Sequence, residues 1–163
     1  MDDRESRLRE VACVAVALEA QTGCPPQLLT AQWAVESKWG AKPVGQHNYF
    51  GIKATDLTNP EHYIEFRTPE YVDGKRVIEE AEFARYEDAA ESFDAHGRLL
   101  ATARRYAPAM AVRSDPTAFA AQLQHGGYST SPTYASSLWR AIQNYDLAQY
   151  DLPPDGGAAQ AGA

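Results

Sequence analysis

A chain of 163 residues falls within the size of one folded domain, about 100–200 residues, and its 44% hydrophobic and 23% charged content is that of an ordinary globular protein. A formal net charge of -7 argues against the general phosphate attraction of a nucleic-acid binder, leaving only a local basic pair at Arg104-Arg105. No apolar run approaches the roughly 18 residues of a membrane-spanning helix, and the opening "MDDRESRLRE" is too charged for a secretory signal, so membrane insertion is not expected and no export route is visible.

Leu8, Val11, Ala12, Ala15 and Leu18 recur at helical spacing and predict a first, scaffold helix that ends at Gly23 and Pro25-Pro26. A second helix is expected from about Pro26 to Trp39, with proline in its first turn and Gly40 as its stop. The helical period then disappears, and "GQHNYFGIKATDLTNPEHYIEF" is broken by glycine, asparagine and proline. Two strand-like runs, "TPEYV" and "KRVIEEAEF", flank Asp73-Gly74, a dipeptide suited to a tight hairpin turn, so a small β-lobe is expected over about residues 55–85.

Helical period returns from about Glu87, with Ala90, Phe93, Gly97 and Leu100 on one face, and is expected to run to Tyr106. Two more helices are predicted to open at Asp115-Pro116 and Ser131-Pro132, each pairing a capping oxygen with a proline; the last carries Tyr134, Leu138, Ile142 and Tyr145 on one stripe. The ending "DLPPDGGAAQAGA" has no period and few large apolar side chains, so residues 151–163 read as linker or disordered tail after a domain over 1–150. The fold class is α+β, mostly helical, with a short antiparallel insertion.

Cys13 and Cys24 cannot make a structural zinc site without histidines at ligand spacing, and His47, His62, His96 and His125 are scattered. With no export signal in view, the two cysteines are expected as unpaired thiols rather than a bridge.

Leu29, Trp33 and Glu36 fall at i, i+4 and i+7, which places a carboxylate on the packed stripe of the second helix. An ionised carboxylate is expensive to bury alone, and the usual response is a raised pKa. A glutamic acid still protonated near neutral pH can donate to the departing oxygen of a glycosidic bond, a poor leaving group until it is protonated. The plainer alternative is that Glu36 pairs with Lys38, an arginine or a backbone amide at the helix end.

The order "ESKWG", "HNYFGIKA", "TPEY" and, much later, "GGYSTSPTYA" resembles the bacterial peptidoglycan glucosaminidases of glycoside hydrolase family 73, over about Leu28 to Tyr145. The resemblance implies a lysozyme-like helical core with a small β-hairpin lobe. It carries the catalytic acid onto Glu36 and a second carboxylate onto Glu70, between Thr68 and Tyr71. Asn48, Phe50, Gly51, Ile52 and Lys53 match the segment that lines the floor of the sugar groove. Tyr128, Thr130, Pro132, Tyr134 and Ala135 match the segment before the last helix. Three positions depart from the pattern: Lys38 stands where glycine is usual, Tyr49 where leucine is usual, and Ser131 where aspartate is usual.

Glu70 itself sits on a predicted hairpin strand that could lower it over a bound sugar; Glu65, Glu79, Glu80 and Glu82 are rivals, although Glu79-Glu80 reads as a solvated run. Tyr128 would suit orienting the 2-acetamido group of N-acetylglucosamine, or it is simply a packed tyrosine with its hydroxyl hydrogen-bonded. Trp39, Tyr71 and Tyr134 are expected against sugar faces; Phe50 is a candidate there but fits the core better.

The implied activity is an endo-β-N-acetylglucosaminidase that cuts the cell-wall glycan after N-acetylglucosamine, as a monomer, with no metal or other cofactor. The wall glycan is the expected partner, met in the periplasm or outside the cell. A muramidase, a lytic transglycosylase and a non-catalytic wall-binding module are the alternatives. A phage endolysin, a secreted effector and a piece of a longer autolysin all suit such a domain.

Overall fold

The computed structural model describes residues 3–151. In chain order these residues form α1 (Asp3–Thr22), α2 (Pro26–Glu36), β1 (Tyr63–Val72), β2 (Lys75–Ala84), α3 (Ala89–Thr102), α4 (Ala107–Ala111), α5 (Pro116–His125) and α6 (Tyr134–Asn144), with single 3₁₀ turns at Pro60–His62, Arg104–Tyr106 and Leu147–Tyr150. The mostly helical architecture with one antiparallel hairpin is the one expected. Residues 152–163, most of the expected tail, lie outside the described residues.

The core is built around α2, in which every residue from Pro26 to Ala34 is buried. Leu8, Val11 and Ala15 of α1, Phe93 and Leu100 of α3, Phe119 and Leu123 of α5, and Leu138 and Ile142 of α6 close over it. Each of these helices shows an apolar stripe because 3.6 residues per turn returns every third or fourth side chain to the same face. Close approach of α1 to α3 depends on Gly97: a Cβ there would lie 2.5 Å from Thr22 Cγ2. Asp151, expected as the first residue of the tail, instead belongs to the folded body. Its carboxylate accepts from the Gln27 amide nitrogen at 2.8 Å and from the Gln27 side chain, satisfying a free N–H at the start of α2.

Three helix boundaries differ from expectation. The second helix ends at Glu36, not Trp39, because Lys38, Trp39 and Gly40 all take positive φ (51°, 61° and 74°), which no α-helix accommodates. The third stops at Thr102 rather than Tyr106 because Ala103 is extended, and Pro108, tolerated only in a first turn, opens a short α4 that was not expected. The last begins at Tyr134, and no side chain caps it; Ser131 sits before the turn, whereas Asp115 caps α5 as predicted, accepting from Thr117 and Ala118.

The hairpin turns at Asp73-Gly74, both at positive φ as a two-residue loop requires. Two strands alone are marginal in water. This pair is rooted in the core by buried Phe83, whose strand bridges Lys53 through Ala54 N to Glu82 O and Ala84 N to Ile52 O, both 2.9 Å. The cysteines are free, Cys24 buried and Cys13 exposed.

Candidate active site

The abrupt end of α2 presents Glu36. Ser37 folds back, its hydroxyl donating to Trp33 O at 2.6 Å and accepting from Gly40 N at 2.8 Å, so three left-handed residues turn the chain within one helical diameter. A Cβ on Gly40 would come within 2.9 Å of the Trp33 ring. The turn leaves Glu36 half-buried at the last helical position, with Oε1 sealed from solvent and without a hydrogen-bond partner.

Burial, and then the negative charge of Glu70, pushes the Glu36 carboxyl up to about 7, while a hydrogen bond from Tyr134 holds it back. Among the described residues no lysine or arginine forms a salt bridge with Glu36, and Lys38 points to solvent, which removes the plainer reading of this position. A carboxylic acid in this state is half protonated near neutral pH.

Between the hairpin and the helical body lies a cavity of about 500 Å³, lined by residues that include Glu70, Tyr71, Glu79, Phe83, Arg105 and Tyr128. Glu36 does not line it directly; Tyr128 does, and its hydroxyl is close enough to Glu36 for the two charges to interact. Burial and the charge of Glu36 raise the Tyr128 hydroxyl well above the ordinary phenol value, and that hydroxyl is shielded without a hydrogen-bond partner. The expectation of a packed tyrosine with a satisfied hydroxyl is thus corrected on its second half: the ring is packed, edge-on to His96 and Tyr106 at 5.7 Å each, and the hydroxyl is unpaired.

Strand register separates the rival carboxylates. Paired residues share a face, so Glu70 (opposite Val77), Thr68 (opposite Glu79) and Ile64 (opposite Phe83) look one way, while Glu65, Glu80 and Glu82 look the other. Phe83, Glu79 and Glu70 all line the cavity, which fixes that face as the inner one. Glu79 and Glu80 are both exposed, as a solvated run predicts, but Glu79 shares the face of Glu70 and lines the cavity, whereas Glu80 pairs with Arg67 on the other face at 3.2 Å.

Several expected sugar contacts are corrected by burial. Asn48 is wholly buried and staples its loop, donating to Ile52 O and Ala84 O at 2.8 Å each and accepting from Ile52 N at 3.0 Å. Phe50 lies stacked on His96, in the core as its stronger reading had it, while Phe50, Gly51, Ile52 and Lys53 all line the cavity, as the resemblance implied for this segment. Tyr134 is only 3% exposed, its hydroxyl accepting from Gln32 at 3.0 Å, so no ring face is open to a sugar. Trp39 stands away from the cavity, with its ring covered by Tyr145 at 4.2 Å and the Arg4 guanidinium at 5.5 Å. Tyr71 lines the cavity, although the register turns its side chain to the face opposite Glu70. Sequence reasoning missed Gln32 and His96; the available signal was a polar residue in an otherwise apolar helical stripe in each case.

A larger recess of about 640 Å³ lies between the start of α1 and the end of α6, lined in part by Leu8, Cys13, Tyr145 and Tyr150. Among the described residues no group of three or more histidine, cysteine, aspartate or glutamate side chains is placed to hold a metal ion.

A buried helix ending on a raised glutamic acid, roofed by a hairpin that brings a second carboxylate, defines a glycoside hydrolase of lysozyme-like architecture. Within that class the family is specific. The model described as Glucosaminidase, mannosyl-glycoprotein endo-beta-N-acetylglucosaminidase, matches residues 12–147, and the chain belongs to that family, glycoside hydrolase family 73.

Its relatives include the peptidoglycan hydrolase FlgJ of Vibrio parahaemolyticus, 32% identical over 150 residues (89% of this chain, 48% of that one), and the exo-glucosaminidase LytG of Bacillus subtilis, 32% identical over 133 residues (77% and 46%). A probable N-acetylmuramidase of Lactococcus lactis is 27% identical over 163 residues (97% and 37%). The chain thus spans about a third to a half of the length of these three relatives. Among solved structures, a peptidoglycan hydrolase mutant from Sphingomonas sp. A1 superposes with a TM-score of 0.75 at 32% identity, covering 88% of this chain and 96% of that one.

Proposed function

We propose that this domain hydrolyses the β-1,4 bond after N-acetylglucosamine in the glycan of bacterial peptidoglycan, with Glu36 as general acid. The observation that carries the reading is the Glu36 carboxyl itself, raised to about 7 with an unpaired, sealed Oε1, and reached from the cavity through Tyr128. Relatives named as peptidoglycan hydrolases and a glucosaminidase support the substrate and the bond.

In this reading Glu36 protonates the leaving oxygen as positive charge develops on the anomeric carbon. Glu70, on the inner face of the hairpin, supplies the second carboxylate, either activating water or stabilising that charge. The unpaired Tyr128 hydroxyl offers a hydrogen bond to the 2-acetamido group. Glu79 is the remaining carboxylate on the inner face, and comparing Glu70→Gln with Glu79→Gln separates the two.

No helix among the described residues is long and apolar enough to cross a membrane, and the proposed place of action is the cell wall. The proposed solution state is a monomer, with the hydrolase domain ending near residue 150.

Digested sacculi analysed by mass spectrometry test the bond. N-acetylglucosamine at the new reducing ends supports the reading; N-acetylmuramic acid there would assign a muramidase, and a 1,6-anhydro product a lytic transglycosylase. Clearing of cell-wall suspensions by Glu36→Gln at the wild-type rate would overturn the role of the acid.

A further inference from the structure

Behind the Glu36 carboxylate runs a line of buried polar groups that the proposed chemistry does not use. His96, on α3, has no exposed surface; its ring lies flat on Phe50, centroids 4.0 Å apart and planes 8° apart, and its Nε2 is 3.0 Å from Gln32 Oε1. Gln32, equally buried, sits one turn before Glu36 on α2 and donates from Nε2 to the Tyr134 hydroxyl at 3.0 Å. Tyr134, from α6, faces Glu36 in turn, close enough for its hydroxyl to favour the ionised carboxylate. Three helices meet in this line, and each contributes one member.

The directions of the hydrogen bonds follow from valence. A glutamine that gives its N–H to Tyr134 must turn Oε1 toward His96, so His96 carries its proton on Nε2. Burial pushes His96 down to about 3, so the ring stays neutral at physiological pH, and its Nδ1 is the bare, unpartnered nitrogen. A hydroxyl has one proton. Because Tyr134 accepts from Gln32, its own proton is free to point at Glu36. Buried polar side chains without a task are costly, and a fully aligned chain polarises each successive bond.

We propose that His96 and Gln32 are positioning residues for the glycosidase reaction: through Tyr134 they hold the Glu36 carboxyl in one orientation, leaving Oε1 as the oxygen that carries the transferable proton. This inference rests on Glu36 being the general acid. The other ionisable groups facing Glu36 are Glu70 from the hairpin and Tyr128 from the loop before α6; Tyr106 faces the two tyrosines.

The test is the pH profile of kcat/KM on purified cell-wall glycan, with melting curves to show that each variant is folded. Tyr134→Phe removes a donor to the ionised carboxylate, so the alkaline limb moves up, by about half a pH unit or more. Gln32→Leu moves it the same way, and the double variant moves it no further than Tyr134→Phe alone. His96→Gln, which keeps an N–H at similar reach, retains the wild-type limb, whereas His96→Leu does not; this pair decides the matter if Gln32→Leu fails to fold. Rates that fall with the limb unmoved, or shifts that add in the double variant, overturn the proposal. If Glu36→Gln stays active, the acid and the line fall together; if it is inactive while the limbs stay put, only the line falls.

Discussion

The Thr130 hydroxyl donates to Glu70 Oε2 at 2.8 Å and accepts from the Tyr71 amide at 3.1 Å, so the loop before α6 grips the hairpin near its tip at two points. One of these bonds goes to a carboxylate, the stronger kind. Thr130→Val keeps the shape and deletes both. Amide hydrogen exchange over residues 70–77 is expected to speed up about three- to tenfold, matching a loss of about 1 kcal/mol at an exposed contact. Unchanged exchange there would show that the tip is held by something else.

Glu36→Gln removes the proton donor, and glycan hydrolysis should fall by about 10²- to 10⁴-fold. The same change should stabilise the fold above neutrality. The carboxyl lies at about 7 in the folded chain against an ordinary value of 4.5, so between those values the folded state holds a proton that the unfolded state has released. Its contribution is therefore fully present below pH 4.5 and is lost as pH rises through 7. Wild type and variant should melt alike at pH 4, with the variant ahead at pH 8 by no more than about 3 kcal/mol.

The alkaline limb of the activity profile should lie near pH 7 and should depend on Glu70, whose charge helps to raise Glu36. Glu70→Gln removes that charge, so the limb of the residual activity moves down. Glu79→Gln, at a carboxylate that does not act on Glu36, should leave the limb in place. Equal shifts from the two variants would put the second carboxylate in doubt.

Lys38 occupies a left-handed position, φ 51°, in the turn that presents Glu36. A side chain there is strained by about 1–2 kcal/mol, offset in part by the extra freedom glycine has when unfolded. Lys38→Gly should raise stability by about 1 kcal/mol in thermal or urea melts, without moving the activity profile.

Much of this was legible in the sequence because the signals were local. Asp73-Gly74 gave the hairpin turn, Asp115 gave a cap, and the spacing of Leu29, Trp33 and Glu36 put the acid on the packed stripe. The failures have a common cause: they needed partners distant in sequence. Asn48 matches a segment at the groove, yet Ile52 and Ala84 take its side chain inward. That Glu79, solvated as expected, shares the face of Glu70 is fixed only by its pairing with Thr68. The end of α2 was misplaced because two ordinary residues, Lys38 and Trp39, adopt a conformation that their types disfavour.

The hairpin is fastened at its root through Phe83 and at its tip through Thr130. A strap that stayed pinned at both ends over a bound polymer would act as a tunnel, which a chain can thread only from a loose terminus. Released at the tip, it becomes an open trough in which an internal stretch of a long strand can lie. The lifetime of a single hydroxyl–carboxylate contact would then decide whether the protein nibbles strands from their ends or severs them in the middle.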